Sequence, residues 1–192
     1  MKDKIVKSIS QSIETKNAIL RDEALVELIE KCVGDCVNAL GSGNKLLFCG
    51  NGGSAADAQH IAAELSGRFK LDREPLYAEA LHVNSSFMTA VANDYGYEEV
   101  FARLVRGMGK PGDILFVLST SGNSPNILKA AKAAKGEQMT VIGMTGASGG
   151  ELKLLCDRVL RVPSDDTARI QEAHILIGHI ICELVEARTT QD

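Results

Sequence analysis

The stretch from Lys45 to Glu64, KLLFCGNGGSAADAQHIAAE, constrains the fold more than any other part of the chain. Lys45 to Cys49 is a short apolar run, suited to a buried strand. Gly50-Asn51-Gly52-Gly53-Ser54 breaks it, and the Ala-rich ADAQHIAAELSGR that follows reads as a helix. Strand, glycine loop and helix N-terminus in that order make an anion site, with free backbone N–H groups and the positive end of the helix dipole facing the loop. Glycine lets that backbone come close, and Ser54 is suited to cap the helix or bind a ligand oxygen. The loop has neither the G-x-G-x-x-G spacing of a dinucleotide fingerprint nor the Lys-Ser/Thr ending of a P-loop. A tight turn without a ligand is the alternative. His60 and Glu64, four residues apart, share a helix face. That pair suits a divalent metal, or equally an exposed ion pair.

Strand and helix alternate from Lys45 onward. Further strands are expected at 78–82, 113–118, 140–144 and 158–162, giving about five parallel strands with helices on both faces. Ligands of such sheets sit beyond the carboxyl ends of the strands. Two amphipathic helices, over 3–19 and 22–40, precede the first strand. Residues 1–43 are therefore expected to pack on another subunit, with packing on their own sheet as the alternative, and 44–192 to form the ligand-binding domain of one structural unit. Residues 67–75, with Arg68, Lys70, Asp72, Arg73 and Glu74, read as a surface loop, and Asn93-Asp94-Tyr95-Gly96 as a turn. A long final helix, from 165 or 166 to about 187, carries Gln171, His174, His179 and Cys182.

Composition narrows the classes. The chain has 192 residues, 45% hydrophobic and 24% charged, enough for one domain with a proper core. A net charge of −4 and only 4% aromatics, with no Trp, argue against a nucleic-acid surface. No apolar run approaches a membrane span, and the polar N-terminus MKDKIVKSISQSIE lacks a signal core, so no membrane partner and a cytoplasmic location are expected. Five scattered cysteines (Cys32, Cys36, Cys49, Cys156, Cys182) read as reduced, largely buried thiols rather than a disulfide framework.

The most telling motif is Ser119-Thr120-Ser121-Gly122-Asn123-Ser124, directly after the apolar strand DILFVL. Hydroxyls and free N–H groups surround a phosphate without any Lys or Arg, which suits a sugar bearing one phosphate. A hydroxyl-rich cap is the alternative. Ser124 stands where an N-cap belongs, and Pro125 fits the first helical position.

These motifs together resemble the SIS (sugar isomerase) family and, more narrowly, its phosphoheptose isomerases. The resemblance covers nearly the whole chain: CGNGGSAADAQHIAAELSGR at 49–68, AND at 92–94, LSTSGNS at 118–124 and PSDDTARIQEAHILIGH at 163–179. It implies a single α/β SIS domain, a flavodoxin-like three-layer αβα sandwich with a five-stranded parallel sheet, preceded by a helical hairpin. It implies isomerisation of D-sedoheptulose 7-phosphate to D-glycero-D-manno-heptose 7-phosphate, opening a route to nucleotide-activated heptose for lipopolysaccharide or capsule. Carried over by the resemblance, Asn51, Gly52, Gly53, Ser54, Asn93 and Asp94 contact substrate. Ser119, Thr120, Ser121 and Ser124 cradle phosphate, and Arg68 falls in the same neighbourhood. His60, Glu64, Gln171 and His179 match the family's zinc ligands, one Zn2+ per subunit. Glu64 and His179 also match its acid–base pair, Glu64 and Gln171 also touch substrate, and the implied assembly is a homotetramer.

The chemistry is consistent with this. Ketose–aldose exchange moves a proton between C1 and C2 through an enediol, so one group takes a proton while another manages the oxygens. Glu64 as base with His179 as acid, or the reverse, both fit. Gln171 and His179 are eight residues apart, about 12 Å on a straight helix, so one metal takes both only at full reach or across a subunit boundary. His174 reads as structural. The competing class is a non-catalytic SIS module that binds a protein partner, such as a replication initiator. That module has no need of a His60–Glu64 face together with His179.

Overall fold

The computed structural model describes residues 1–190. It begins with two helices, α1 (Lys2–Arg21) and α2 (Glu23–Gly41). There follow β1 (Leu46–Gly50), α3 (Gly53–Ser66), β2 (Ala78–Ala80), α4 (Ser85–Tyr95), α5 (Val100–Met108) and β3 (Ile114–Leu118). The chain ends with α6 (Pro125–Gly136), β4 (Thr140–Thr145), β5 (Arg158–Arg161) and α7 (Thr167–Thr189), and short 3-10 turns occupy Tyr97–Glu99 and Leu152–Leu154.

All five strands are parallel, in the order β2-β1-β3-β4-β5. This is the flavodoxin-type order, whose direction reverses between β1 and β3 and opens a crevice beyond their carboxyl ends. The Asn51–Ser54 and Ser119–Ser124 loops both leave from that crevice. Period-two alternation splits the sheet's side chains between two cores. Leu46, Phe48, Ile114, Phe116, Leu118, Ile142 and Met144 pack against α2, α3 and α7. Leu47, Cys49, Leu115, Val117 and Val141 pack against α5 and α6. Phe48 and Phe116, directly paired across β1 and β3, stack with centroids 4.9 Å apart. Truncating a wholly buried residue such as Leu115 to Ala would cost ~2–5 kcal/mol.

At the amino end of the sheet, Asp113 accepts from the backbone N–H groups of Lys45 (3.0 Å) and Lys110 (2.9 Å) and pairs with the buried Lys45 ammonium. This locks β1 beside β3 at the end away from the crevice. Cys32, Cys36, Cys49 and Cys182 are buried free thiols, as expected, and burial pushes Cys32 and Cys182 up to about 12. No helix among the described residues is long and apolar enough to cross a membrane.

Three local expectations need correction. Asn93 and Asp94 do not form a turn but belong to the last turn of α4, which Gly96 ends at φ 93°. The 67–75 loop is not wholly a surface feature, because the Arg73 side chain is only 3% exposed. Ser54 does not cap α3: the helix starts at Gly53 with Gly52 in the cap position, and Ser54 is buried.

Candidate active site

The glycine loop is shaped by close approach. Gly52 sits at φ 56°, a left-handed backbone that side chains resist. A Cβ on Gly53 would fall 2.6 Å from the Gln171 amide, so glycine here admits the Gln171 side chain against the loop. Gln171 thus faces the start of α3 from α7.

The neighbouring loop is stapled to it. The side-chain amides of Asn51 and Asn126 donate to each other's oxygens at 2.9 and 2.8 Å, and the Tyr97 hydroxyl donates to the same Asn51 oxygen at 3.2 Å. Asn126 is buried and its oxygen also accepts from the Ile127 N–H at 3.0 Å. Asn51 therefore spends most of its hydrogen-bonding capacity tying the β1 loop to the start of α6. Sequence reasoning assigned no role to Asn126 or Tyr97.

In the β3 loop, Ser124 stands at the cap position of α6 with Pro125 behind it, but its hydroxyl makes no capping bond. It turns instead to the Ser119 hydroxyl, 3.2 Å away. Thr120 and Ser121 line a cavity of about 250 Å³ together with Asn123, Ser148, Asp165 and Thr167. Of the four residues expected around a phosphate, Thr120 and Ser121 line this hollow, and Asp165 puts a carboxylate at its wall. Asn93 and Asp94 are exposed and paired to each other at 2.9 Å.

The second cluster lies between α3 and α7. His60 Nε2 is 3.0 Å from Glu64 Oε1 and 2.9 Å from His179 Nε2. One donor atom from each of the three residues lies within 4.8 Å of the others. Metal–ligand bonds of about 2.0–2.1 Å at tetrahedral angles set donors about 3.3 Å apart, so this donor set fits a divalent ion after small adjustments. Two imidazoles and a carboxylate also form a known catalytic-zinc set. The structure therefore brings together three of the four residues expected around a metal, and puts Gln171 against Gly53.

Asp57, one turn before His60 on α3, was not singled out from the sequence. Burial pushes its carboxyl up to about 6, against the pull of His60. His174 is wholly buried and faces the Thr145 carbonyl at 3.3 Å, the structural role expected of it. Phe69 lies flat against the His179 ring, with centroids 5.5 Å apart at 18°.

The family model of the SIS domain matches residues 8–146. The phosphoheptose isomerase of Clostridium acetobutylicum is 53% identical over 97% of this chain and 95% of its own. That of Aneurinibacillus thermoaerophilus is 50% identical over 97% of this chain and 94% of its own. The structure of a phosphoheptose isomerase from Francisella tularensis superposes with a TM-score of 0.93 at 41% identity, covering 96% of this chain and 97% of that one. With a family model spanning most of its length and such relatives spanning nearly all of it, this chain belongs to the SIS-domain family, among the phosphoheptose isomerases.

Proposed function

We propose that the protein interconverts D-sedoheptulose 7-phosphate and D-glycero-D-manno-heptose 7-phosphate. The observation that carries this is the convergence of His60, Glu64 and His179 into one donor cluster between α3 and α7. A seven-carbon phosphate has two chemically different ends, and these two groupings match them. Ser119, Thr120, Ser121 and Ser124 hold the phosphate. Asn51, Gly52, Gly53, Ser54, Asn93, Asp94 and Gln171 contact the chain between. The imidazole–carboxylate cluster works at C1 and C2.

His60, Glu64 and His179 would hold the metal, with Gln171 completing the set at full reach or from a neighbouring subunit; zinc suits the donors. Bound there, the ion supplies Lewis acidity that stabilises charge on the substrate oxygens. The chain's own residues handle the protons. One of Glu64 and His179 takes the C1 proton and delivers one at C2, and the other exchanges a proton with the oxygens. Each placed acid or base is worth ~10²–10⁴-fold.

The same proposal extends to assembly and place. Ile5, Val6, Ile9 and Ile13 on α1 are each more than half exposed, and an apolar groove lies between α1, α2 and α7. Further copies of the chain, in a tetramer, would cover these faces through residues 1–43. Five free cysteines fit a cytoplasmic location.

Incubation with sedoheptulose 7-phosphate, with and without chelator, tests the activity. A new aldose 7-phosphate that disappears with chelator is expected. No aldose under any metal condition would favour the binding-module reading instead.

A further inference from the structure

The 67–75 loop, between α3 and β2, is closed by one buried carboxylate. Glu186 of α7, whose side chain is 1% exposed, accepts from the N–H groups of Phe69 (3.0 Å), Lys70 (2.7 Å) and Leu71 (3.0 Å) and lies 3.0 Å from Arg73 Nε. Burial works to raise the Glu186 carboxyl, but these N–H groups and the Arg73 charge hold it below the ordinary carboxylate range. The Arg73 guanidinium in turn donates to the carbonyls of Leu65 (3.0 Å), Glu64 (3.0 Å), Gly67 (3.4 Å) and Glu74 (2.9 Å). The carbonyls of Glu64 and Leu65 belong to the last turn of α3, where intrahelical donors run out. One guanidinium thus finishes the helix that carries His60 and Glu64. One carboxylate, from the helix that carries His179, folds the loop onto it.

The product of this arrangement is the place of Phe69. Its ring covers one face of the His179 imidazole, while His60 meets the same imidazole edge-on, with centroids 5.1 Å apart at 64°. The terminal torsion of a histidine is a soft, broad rotor. A phenyl face against the ring narrows that rotor and holds Nε2 where it meets His60 and Glu64. A loop that merely needed closing would manage with apolar contacts, without the desolvation cost of a buried ion pair.

We propose that Phe69 is a positioning residue for His179, and that the buried Glu186–Arg73 pair is the clamp that keeps it there. The kinetic part rests on the isomerase reading; the positioning itself does not. The test compares the parent with Phe69→Leu, Phe69→Tyr and Glu186→Gln. In the metal-free protein, proton NMR of the His179 ring reads the Phe69 ring current. An upfield displacement in the parent is expected to vanish in Phe69→Leu, persist in Phe69→Tyr and shrink in Glu186→Gln. With sedoheptulose 7-phosphate, Phe69→Leu is expected to lose about tenfold in kcat with KM within about twofold, and Phe69→Tyr to keep both. His179 signals and kcat unchanged in Phe69→Leu would overturn the proposal. A parent that isomerises nothing would remove the isomerase reading, and the ring signals would still decide the positioning. Should Glu186→Gln fail to fold, the half-buried Phe69→Leu and Phe69→Tyr pair decides.

Discussion

The hydroxyl loop at Ser119–Ser124 and the His60–Glu64–His179 cluster are built in opposite ways. The loop is local. A buried strand delivers it, α6 receives it, and its Ser119–Ser124 contact closes within six consecutive residues. The cluster is assembled at a distance, since His179 approaches His60 across 119 positions and depends on α7 lying against α3. A local loop of neutral donors suits a fixed anion, whose charge does not change in the reaction. Groups that must exchange protons need neighbours from several elements to set their basicity and aim. Loss of a loop hydroxyl should therefore weaken binding, whereas loss of a cluster residue should slow chemistry.

The largest effect falls on the cluster. Glu64→Gln and His179→Ala should each lower kcat by ~10²–10⁴-fold with unchanged circular dichroism. A rise in KM alone, with kcat kept, would break the comparison by making the cluster a binding element. Stripping the proposed metal sharpens it. Dialysis against chelator should abolish turnover and added Zn2+ restore it, while calorimetry should still detect sugar-phosphate binding weakened by less than about tenfold. Loss of all binding would mean that the two regions do not act separately.

Smaller effects belong to the loop. If Ser121 holds the phosphate as proposed, Ser121→Ala removes one charge-assisted hydrogen bond, worth ~1.5–3 kcal/mol, or roughly 10- to 150-fold in KM. Steady-state kinetics should show kcat within about twofold of the parent. Ser119→Ala should act alike, because its hydroxyl already shares a bond with Ser124.

The same contrast explains what was legible in the sequence. DILFVL followed by STSGNS announces strand, loop and helix because every signal is contiguous. His60 and Glu64 were legible as a pair because helical spacing puts them on one face. His179 joined them only through family resemblance, since no periodicity tells which face of α7 meets α3. Arg73 read as one more loop charge, because its burial depends on a carboxylate 113 positions away, the difference between 186 and 73. Asn126 was hidden for the same reason: its partner Asn51 sits on another loop, and a polar residue after Pro125 reads as ordinary helix-start chemistry. Ser54 was read as a helix cap or a ligand contact, and Ser124 as the cap of α6, a position it does occupy. Chain geometry gave one cap to Gly52, and the other serine turned its hydroxyl toward Ser119.

The smallest effect on turnover should come from the residue beneath both regions. His174 lies on α7 between Thr167, which lines the hydroxyl-loop cavity, and His179 in the cluster. Its Nε2–H donates to the Thr145 carbonyl at 3.3 Å, which ties α7 to the end of β4. Burial pushes this imidazole from the ordinary 6.5 down to about 4, with the Thr145 bond working weakly the other way. The unfolded chain therefore takes up the proton at a higher pH than the folded one. Stability is full above about 6.5, falls as pH drops from there, and has lost the whole contribution near 4. The displacement corresponds to ~3 kcal/mol. For a domain of this size that is roughly 5–10 °C in Tm. Thermal melts between pH 7.5 and 4.5 should accordingly show a steeper acid loss for the parent than for His174→Gln, whatever the variant's starting Tm. At pH 7.5 the variant should change kcat and KM together and by no more than about threefold, because α7 supports both regions. Equal acid slopes in the two proteins would remove His174 from this role. A change confined to kcat would mean that α7 serves the cluster alone.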